Sequence, residues 1–260
     1  MPVHWHKYMS GVYVHIPFCK SRCKYCDFYS TTQLARRQEY ITAIIEEAHC
    51  ELRITHCAFC DVETIYIGGG TPSLLDIEDL QRLLEALPIA DAREVTMEAN
   101  PGDITREKAK AWRAMGVNRL SIGIQSFDDD ILRLIGRRHT AAQAREAVRI
   151  AREEGFDNIS ADLMYGLPLY KGRRLGDDAA RVVNDAAEKA VKQLQNDIEE
   201  LLLNVEHIST YCLSYEEGTA MTQMLERGEI EEVDEDTENQ MFDYIVARLT
   251  QAGYEHYEVS

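Results

Sequence analysis

Two apolar periods alternate along this chain. Short apolar or alternating runs at 12–16, 62–67, 94–99, 119–124, 159–163 and 206–213 fit strands. Between them apolar residues recur every three or four positions, as an amphipathic helix requires. Such stretches fall at 34–52, 76–87, 105–115, 141–154, 177–203 and 236–252. Ile41, Ile44, Ile45, Ala48 and Leu52 carry the first, and Leu80, Leu83, Leu84 and Leu87 the second. A helical stretch after 119–125 is expected to carry Arg137 and Arg138. The acidic run 229–238 reads as a solvated loop and a helix start. Strands alternating with helices predict an α/β fold, a parallel sheet with helices outside. Polar candidates for ligand contact gather just after the strands, as at the C-terminal mouth of a (β/α) barrel. A doubly wound open sheet is the alternative. The 260 residues, 45% of them hydrophobic, suffice for one such domain. Residues 1–10 read as a tail and 11–260 as the core. At 254–259 another alternating run begins where the chain stops, so a truncated C-terminal domain is expected.

Charge and cysteine usage narrow the function. The net charge of −17 argues against nucleic acid and anionic membranes as partners. No run of 18 apolar residues occurs, which argues against stable membrane insertion, and the first nine residues hold no signal-peptide core. Seven cysteines without a paired spacing pattern read as reduced thiols, and a cytoplasmic location is expected.

Three of those cysteines carry the chemistry. Cys19, Cys23 and Cys26 form C-x3-C-x2-C after the first strand, where Pro17 stops the alternation. Thiolates suit iron–sulfur irons, and three for a [4Fe–4S] cluster leave one iron open. A closed zinc site would need a fourth ligand, and the eight residues after Cys26 supply no Cys or His. The second strand runs into Gly68-Gly69-Gly70-Thr71-Pro72-Ser73, where glycines allow close approach of a ligand to backbone. No Lys-Ser/Thr follows, so this is not a phosphate loop. Cys57 and Cys60, near Cys50, His49 and His56, form a C-x2-C that reads as connector thiols or as a second metal site.

With its aromatic at Tyr25, the cysteine motif resembles that of the radical S-adenosylmethionine (SAM) superfamily. The resemblance implies a partial (β/α)6 TIM-like barrel and SAM chelated at the open iron, where one electron cleaves the sulfonium. The strings VHIPFCKSRCKYCDF, IYIGGGTPSLL, EANPGDIT, LSIGIQSFDDDILRLIGRRH, ISADLMYGLP and EHYEVS are most similar to the oxygen-independent coproporphyrinogen III oxidase group. Carried across motif by motif, the resemblance implies SAM contacts at Tyr13, Gly70, Thr71, Glu98, Gln125 and Arg137, with Tyr25 beside the cluster. Arg137 would pair an anion such as the methionyl carboxylate. Asp162 would hold ribose hydroxyls, and Cys212 would lie near the adenine.

That group divides into oxidases and HemW-type haem chaperones. The oxidases carry a fourth cysteine two residues after the third, where this chain has Phe28. The resemblance therefore implies the chaperone branch, with haem or porphyrin, a haem-acceptor protein and an electron donor as partners. Oxidative decarboxylation of coproporphyrinogen III is the alternative, and a radical SAM enzyme on an unrelated substrate the third. His15 reads as structural rather than as a haem ligand. Leu169-Tyr170 stands where the group usually has Gly-Gln, and a longer segment follows.

Overall fold

The computed structural model describes residues 10–54, 62–90, 92–170, 179–202 and 204–258. The fold is α/β. Six strands form one sheet in the order β1-β2-β3-β4-β5-β7: β1 Ser10–Ile16, β2 Val62–Gly69, β3 Glu94–Ala99, β4 Arg119–Gln125, β5 Ile159–Tyr165 and β7 His207–Cys212. Two residue-pair strands, β6 Leu169–Tyr170 and β8 Ile230–Glu231, form a separate antiparallel ladder. The helices are α1 Arg37–Ile54, α2 Ile77–Glu85, α3 Arg106–Ala114, α4 Asp129–Leu134, α5 Ala141–Glu153, α6 Ala179–Leu201, α7 Ala220–Glu226 and α8 Glu235–Gln251. Among the described residues no helix is long and apolar enough to cross a membrane.

The chain divides into two compact units, and the division runs through the cysteine loop. The first takes in residues up to Arg22, Phe28–Ser121 and Arg149–Asn158; the second takes in Cys23–Asp27, Ile122–Val148 and the chain from Ile159 on.

In the first unit β1, β2 and β3 pair in parallel, with Tyr13 opposite Tyr66 and Ile67 opposite Met97. Ile16, Ile65, Ile67 and Met97 are fully buried. Leu80, Leu83 and Leu84 of α2 bury the stripe their spacing predicts, each contributing roughly 2 kcal/mol. Asp79 is buried with them because Arg37 Nε (3.2 Å) and Gln38 Nε2 (2.8 Å) of α1 donate to its carboxylate.

In the second unit β5 and β7 pair in parallel, with Tyr165 opposite Cys212. The helix expected at 177–203 is α6, whose Ala190, Leu194, Ile198 and Leu201 are buried. It packs on β5 and α8. A second apolar cluster joins Leu132, Ile135, Met164, Met221 and Ile230, with Tyr25 packed against it.

Three expectations change. Residues 254–258 are irregular rather than a strand. Side-chain hydroxyls anchor them, Tyr254 donating to Val205 O (2.6 Å) and Tyr257 meeting His207 Nε2 (2.6 Å), in place of a backbone ladder. Arg137 and Arg138 lie beyond the end of α4, which stops at Leu134 and turns at Gly136 with φ +78°. The acidic run holds β8, with Ile230 buried, so it is not all solvated loop. Cys57, Cys60 and His56 lie outside the described residues, as do 171–178 and the first nine positions.

Candidate cofactor site

In the first unit the glycine loop, Cys19 and Glu98 form one packed group. Pro17 ends β1, and the chain is then fastened by Thr31 N–H to Pro17 O (2.7 Å) and Cys19 N–H to Thr31 O (2.9 Å). Gly70 N–H donates to Ile16 O at 2.8 Å, drawing the glycine loop against the same turn. A Cβ on Gly70 would lie 2.8 Å from Pro17 C and 2.9 Å from Phe18 O, both backbone. Gly69 takes φ +114°, and its Cβ would strike the His15 ring at 2.7 Å. The glycines therefore serve the chain's own close packing before any ligand is considered. Thr71 Oγ1 then donates to Cys19 Sγ at 3.4 Å, and Cys19 is buried.

Glu98, the penultimate residue of β3, has both oxygens engaged. Oε1 accepts from Tyr66 OH (2.9 Å) and Oε2 from Gly69 N–H (3.0 Å). Burial raises its carboxyl above the usual range, and the two donors oppose that rise. Tyr13 stacks on Tyr66 with ring centroids 6.0 Å apart, and Tyr13 as a residue is 59% exposed. Partial burial and the Glu98 charge raise the Tyr13 pKa. His15 Nε2 faces Tyr29 O (3.0 Å), so it donates there, and Nδ1 accepts from Tyr13 OH (3.2 Å). Ser73 fixes the loop to the segment after Glu98, donating to Asp103 Oδ2 (3.1 Å) and accepting from Asn100 N–H (3.0 Å).

In the second unit Cys23, Tyr25, Gln125 and Arg137 come together. Lys24 N–H donates to Ile135 O (2.9 Å), just past the end of α4, and Met221 N–H of α7 to Lys24 O (2.8 Å), so these two segments hold the cysteine loop. Cys26 N–H donates to Cys23 O (3.2 Å). Arg137 donates from Nη1 to Cys23 Sγ (3.4 Å) and from Nη2 to Gly123 O (2.5 Å). Its Nε is buried without a partner. Burial works against the Arg137 charge, but Tyr25 and Cys23 outweigh it and raise its pKa. Burial likewise pushes the Tyr25 phenol up, with Arg137 pulling against it. A Cβ on Gly123 would lie 3.0 Å from Arg137 Nη2 and 3.1 Å from Gln125 Nε2, so Gly123 leaves room for both.

Gln125 has φ +69°, alone among the described non-glycine residues in that region. Ser126 N–H donates to Ile124 O at 2.9 Å, closing a strained γ-turn on Gln125. Two residues missed in the sequence hold this turn. His139 Nε2 donates to the same Ile124 carbonyl (3.0 Å). Asp197 of α6 accepts from Ser126 Oγ (2.8 Å), Phe127 N–H (2.8 Å) and Gln193 Nε2 (2.9 Å).

Asp162 lies in β5 opposite Ser209. Cys212 keeps other company, near Tyr165 and Glu238: a Cβ on Gly166 would lie 3.1 Å from both Cys212 Sγ and Glu238 Oε1. Burial and Glu238 push the Cys212 thiol up to about 11.

Among the described residues no group of three or more Cys, His, Asp or Glu stands ready to hold a metal ion. Two motif sulfurs nonetheless each receive a donor, from Thr71 and Arg137, and such hydrogen bonds favour thiolate ligation. A buried guanidinium with an unpartnered Nε suits an anionic ligand.

Comparison with known proteins agrees with this chemistry. The sequence model described as the radical SAM superfamily matches residues 13–179. The haem chaperone HemW of Bacillus subtilis is 35% identical over 97% of this chain and 63% of its own length. The HemW of Escherichia coli K12 is 34% identical over 96% of this chain and 61% of its own length. A mouse mitochondrial protein, radical S-adenosyl methionine domain-containing protein 1, is 36% identical over 96% of this chain and 53% of its own length. The chain thus spans less than two thirds of the length of these relatives. Among solved structures, E. coli coproporphyrinogen III oxidase superposes with a TM-score of 0.74 at 24% identity, covering 94% of this chain and 53% of that one. That likeness concerns the fold.

Proposed function

The chain belongs to the radical SAM superfamily, and on that premise we propose that it acts as the SAM- and cluster-binding part of a HemW-type haem chaperone. Membership brings a [4Fe–4S] cluster and SAM as cofactors. The observation that carries the chaperone reading is 34–35% identity to bacterial haem chaperones over 96–97% of this chain. Phe28 supports it, since a fourth cysteine at that position would mark the oxidase branch.

In this reading Cys19, Cys23 and Cys26 ligate the cluster. When bound, the reduced cluster supplies one electron for cleavage of SAM. The chain's own groups bind and orient. Thr71 and Arg137 donate to the Cys19 and Cys23 sulfurs and stabilise their negative charge. Arg137 holds the SAM carboxylate, a role its unpartnered buried Nε supports. Glu98 takes the amino end of SAM, with Gly70 from the neighbouring loop; Tyr66 and Gly69 fix the carboxylate's orientation. Tyr13 and Tyr25 supply aromatic surface, Gln125 a carboxamide, Asp162 a carboxylate for the ribose and Cys212 a contact near the adenine. Haem, an acceptor protein that receives it and an electron donor complete the set of partners, and the compartment is the cytoplasm.

The test is anaerobic and uses the cluster-loaded chain. Haem is titrated in the visible spectrum, and coproporphyrinogen III is incubated in parallel with SAM and reductant. Saturable one-to-one haem binding with coproporphyrinogen recovered intact is the expected result. Vinyl porphyrinogen formed together with 5′-deoxyadenosine would replace the chaperone reading with an oxidase.

A further inference from the structure

We propose that Asp197 and His139 are positioning residues that hold Gln125 in its strained γ-turn, so that its carboxamide stays beside the Arg137 guanidinium for SAM. The proposal rests on reading Gln125 and Arg137 as SAM contacts. Four observations carry it.

First, the turn is unfavourable in itself. A non-glycine residue at φ +69° closing an i to i+2 hydrogen bond costs on the order of 1–3 kcal/mol. Such a conformation persists only where its surroundings over-determine it. Second, the surroundings do so from two directions. The Ile124 carbonyl before Gln125 receives both Ser126 N–H and the His139 ring. The two residues after it, Ser126 and Phe127, are bound to the two oxygens of one Asp197 carboxylate. Third, both anchors are placed where water does not compete, with Asp197 2% and His139 3% exposed. Asp197 lies in the apolar stripe of α6, between Leu194 and Ile198, where a helix that only covered a sheet would carry an apolar side chain. Fourth, the turn has a visible result. Gln125 Nε2 and Arg137 Nη2 stand over Gly123, both about 3 Å from where a Cβ would be. A relaxed backbone at 125 would send the carboxamide elsewhere.

His139 Nδ1 is buried without a partner. The ring is thus kept as a neutral Nε2–H donor, and its single hydrogen bond goes to the carbonyl that anchors the turn. A residue retained for packing would not carry that orphan nitrogen at no gain.

The test is a double-mutant cycle read by SAM affinity, measured by equilibrium titration of the cluster-loaded full chain, with thermal midpoint as the second readout. Gln125→Gly accepts φ +69° without strain, so its midpoint should match or exceed wild type while SAM binds at least about tenfold more weakly. Asp197→Asn should weaken SAM about fivefold or more in the Gln125 background and less than about twofold in the Gln125→Gly background. Equal weakening in both backgrounds, or unchanged affinity with a lowered midpoint, would make Asp197 a structural residue and overturn the proposal. If Gln125→Gly itself leaves SAM affinity unchanged, the reading of Gln125 as a SAM contact fails instead. His139 provides the second arm should Asp197→Asn not fold. His139→Gln keeps an N–H donor and should retain most of the affinity, whereas His139→Leu should lose it; equal affinities in the two would also overturn the proposal.

Discussion

The two groups of candidate residues, one within each unit, are finished to different degrees. In the first unit the polar groups named above all have partners, and among its described buried side-chain polar atoms Ser30 Oγ alone has none. Both Glu98 oxygens, both His15 nitrogens and the Thr71 hydroxyl are engaged, and the glycine loop is locked against backbone. In the second unit a buried guanidinium nitrogen and a buried imidazole nitrogen lack partners, and one residue is strained. The first half is a rigid frame whose stability is its own. The second half holds an unspent donor, Arg137 Nε, which is what a site for an anionic group requires.

Breaking the frame and breaking the unfinished half should therefore give different phenotypes. The largest effect on folding is expected at Gly70. Its Cβ would meet Pro17 and Phe18 backbone, which has no rotamer to yield, so Gly70→Ala should lower stability by about 3 kcal/mol. At Gly69 the obstacle is the movable His15 ring, but the positive φ adds strain, and Gly69→Ala should cost about 2 kcal/mol. Chemical denaturation of the cluster-free chain measures both. A similar midpoint for wild type and Gly70→Ala would remove the rigid frame from the comparison.

Arg137→Met should act on the ligand. Loss of a buried charged partner typically costs 2–5 kcal/mol in binding, so SAM should bind on the order of a hundredfold more weakly. Arg137→Lys should not restore it, because an ammonium cannot replace the planar fork that reaches both Cys23 Sγ and Gly123 O. Recovery by lysine would show that charge alone matters.

Two anchors of the unfinished half should also shape stability against pH, with opposite signs. Burial, then Arg137 and Arg138, press His139 down to about 4, with the Ile124 hydrogen bond and Asp129 opposing. Between that value and about 6.5 the unfolded chain binds the extra proton. This contribution is present above about 6.5 and is lost as pH falls towards 4, by about 3 kcal/mol. Burial pushes Asp197 up to about 6, with Asp128 adding to the rise and Phe127, Ser126 and Gln193 opposing it. Here the native chain binds the extra proton, so stability falls as pH rises from about 4 to 6. The two slopes offset each other in the wild type. Asp197→Asn should steepen the loss on acidification, and His139→Gln should flatten or reverse it. Unaltered profiles in both variants would dissociate these groups from the stability of the turn.

The smallest effect is expected at Phe28, which is 72% exposed. Phe28→Cys should change stability by no more than about 0.5 kcal/mol and should not by itself produce porphyrinogen decarboxylation. Product formation by that variant would show that one thiol separates the two branches.

The frame was legible in the sequence because it is local. C-x3-C-x2-C, GGGTPS and the strand that carries Glu98 are contiguous strings, and period alone found the six sheet strands and the long helices. The unfinished half was legible only in part. Arg137 and Gln125 were found through matching strings, but the γ-turn was not, since its anchors come from 15 residues away at His139 and 71 away at Asp197, counted from Ile124 and Ser126. No period or spacing links such positions. The β6–β8 ladder was missed because a two-residue strand has no period to detect. At 254–258 alternation was present, but the side-chain hydroxyls of Tyr254 and Tyr257 hold the segment without a ladder. The three motif cysteines were evident at once, whereas the donors that reach two of their sulfurs, from Thr71 and Arg137, needed the fold.

The most direct measurement is electron paramagnetic resonance of the reduced cluster with and without SAM, in wild type and Arg137→Met at equal iron content. A shift of the cluster signal on adding SAM to wild type, lost in Arg137→Met, is the predicted result. A wild-type signal indifferent to SAM, or an undiminished shift in Arg137→Met, would contradict the assignment of the second half as the seat of the anionic end of SAM.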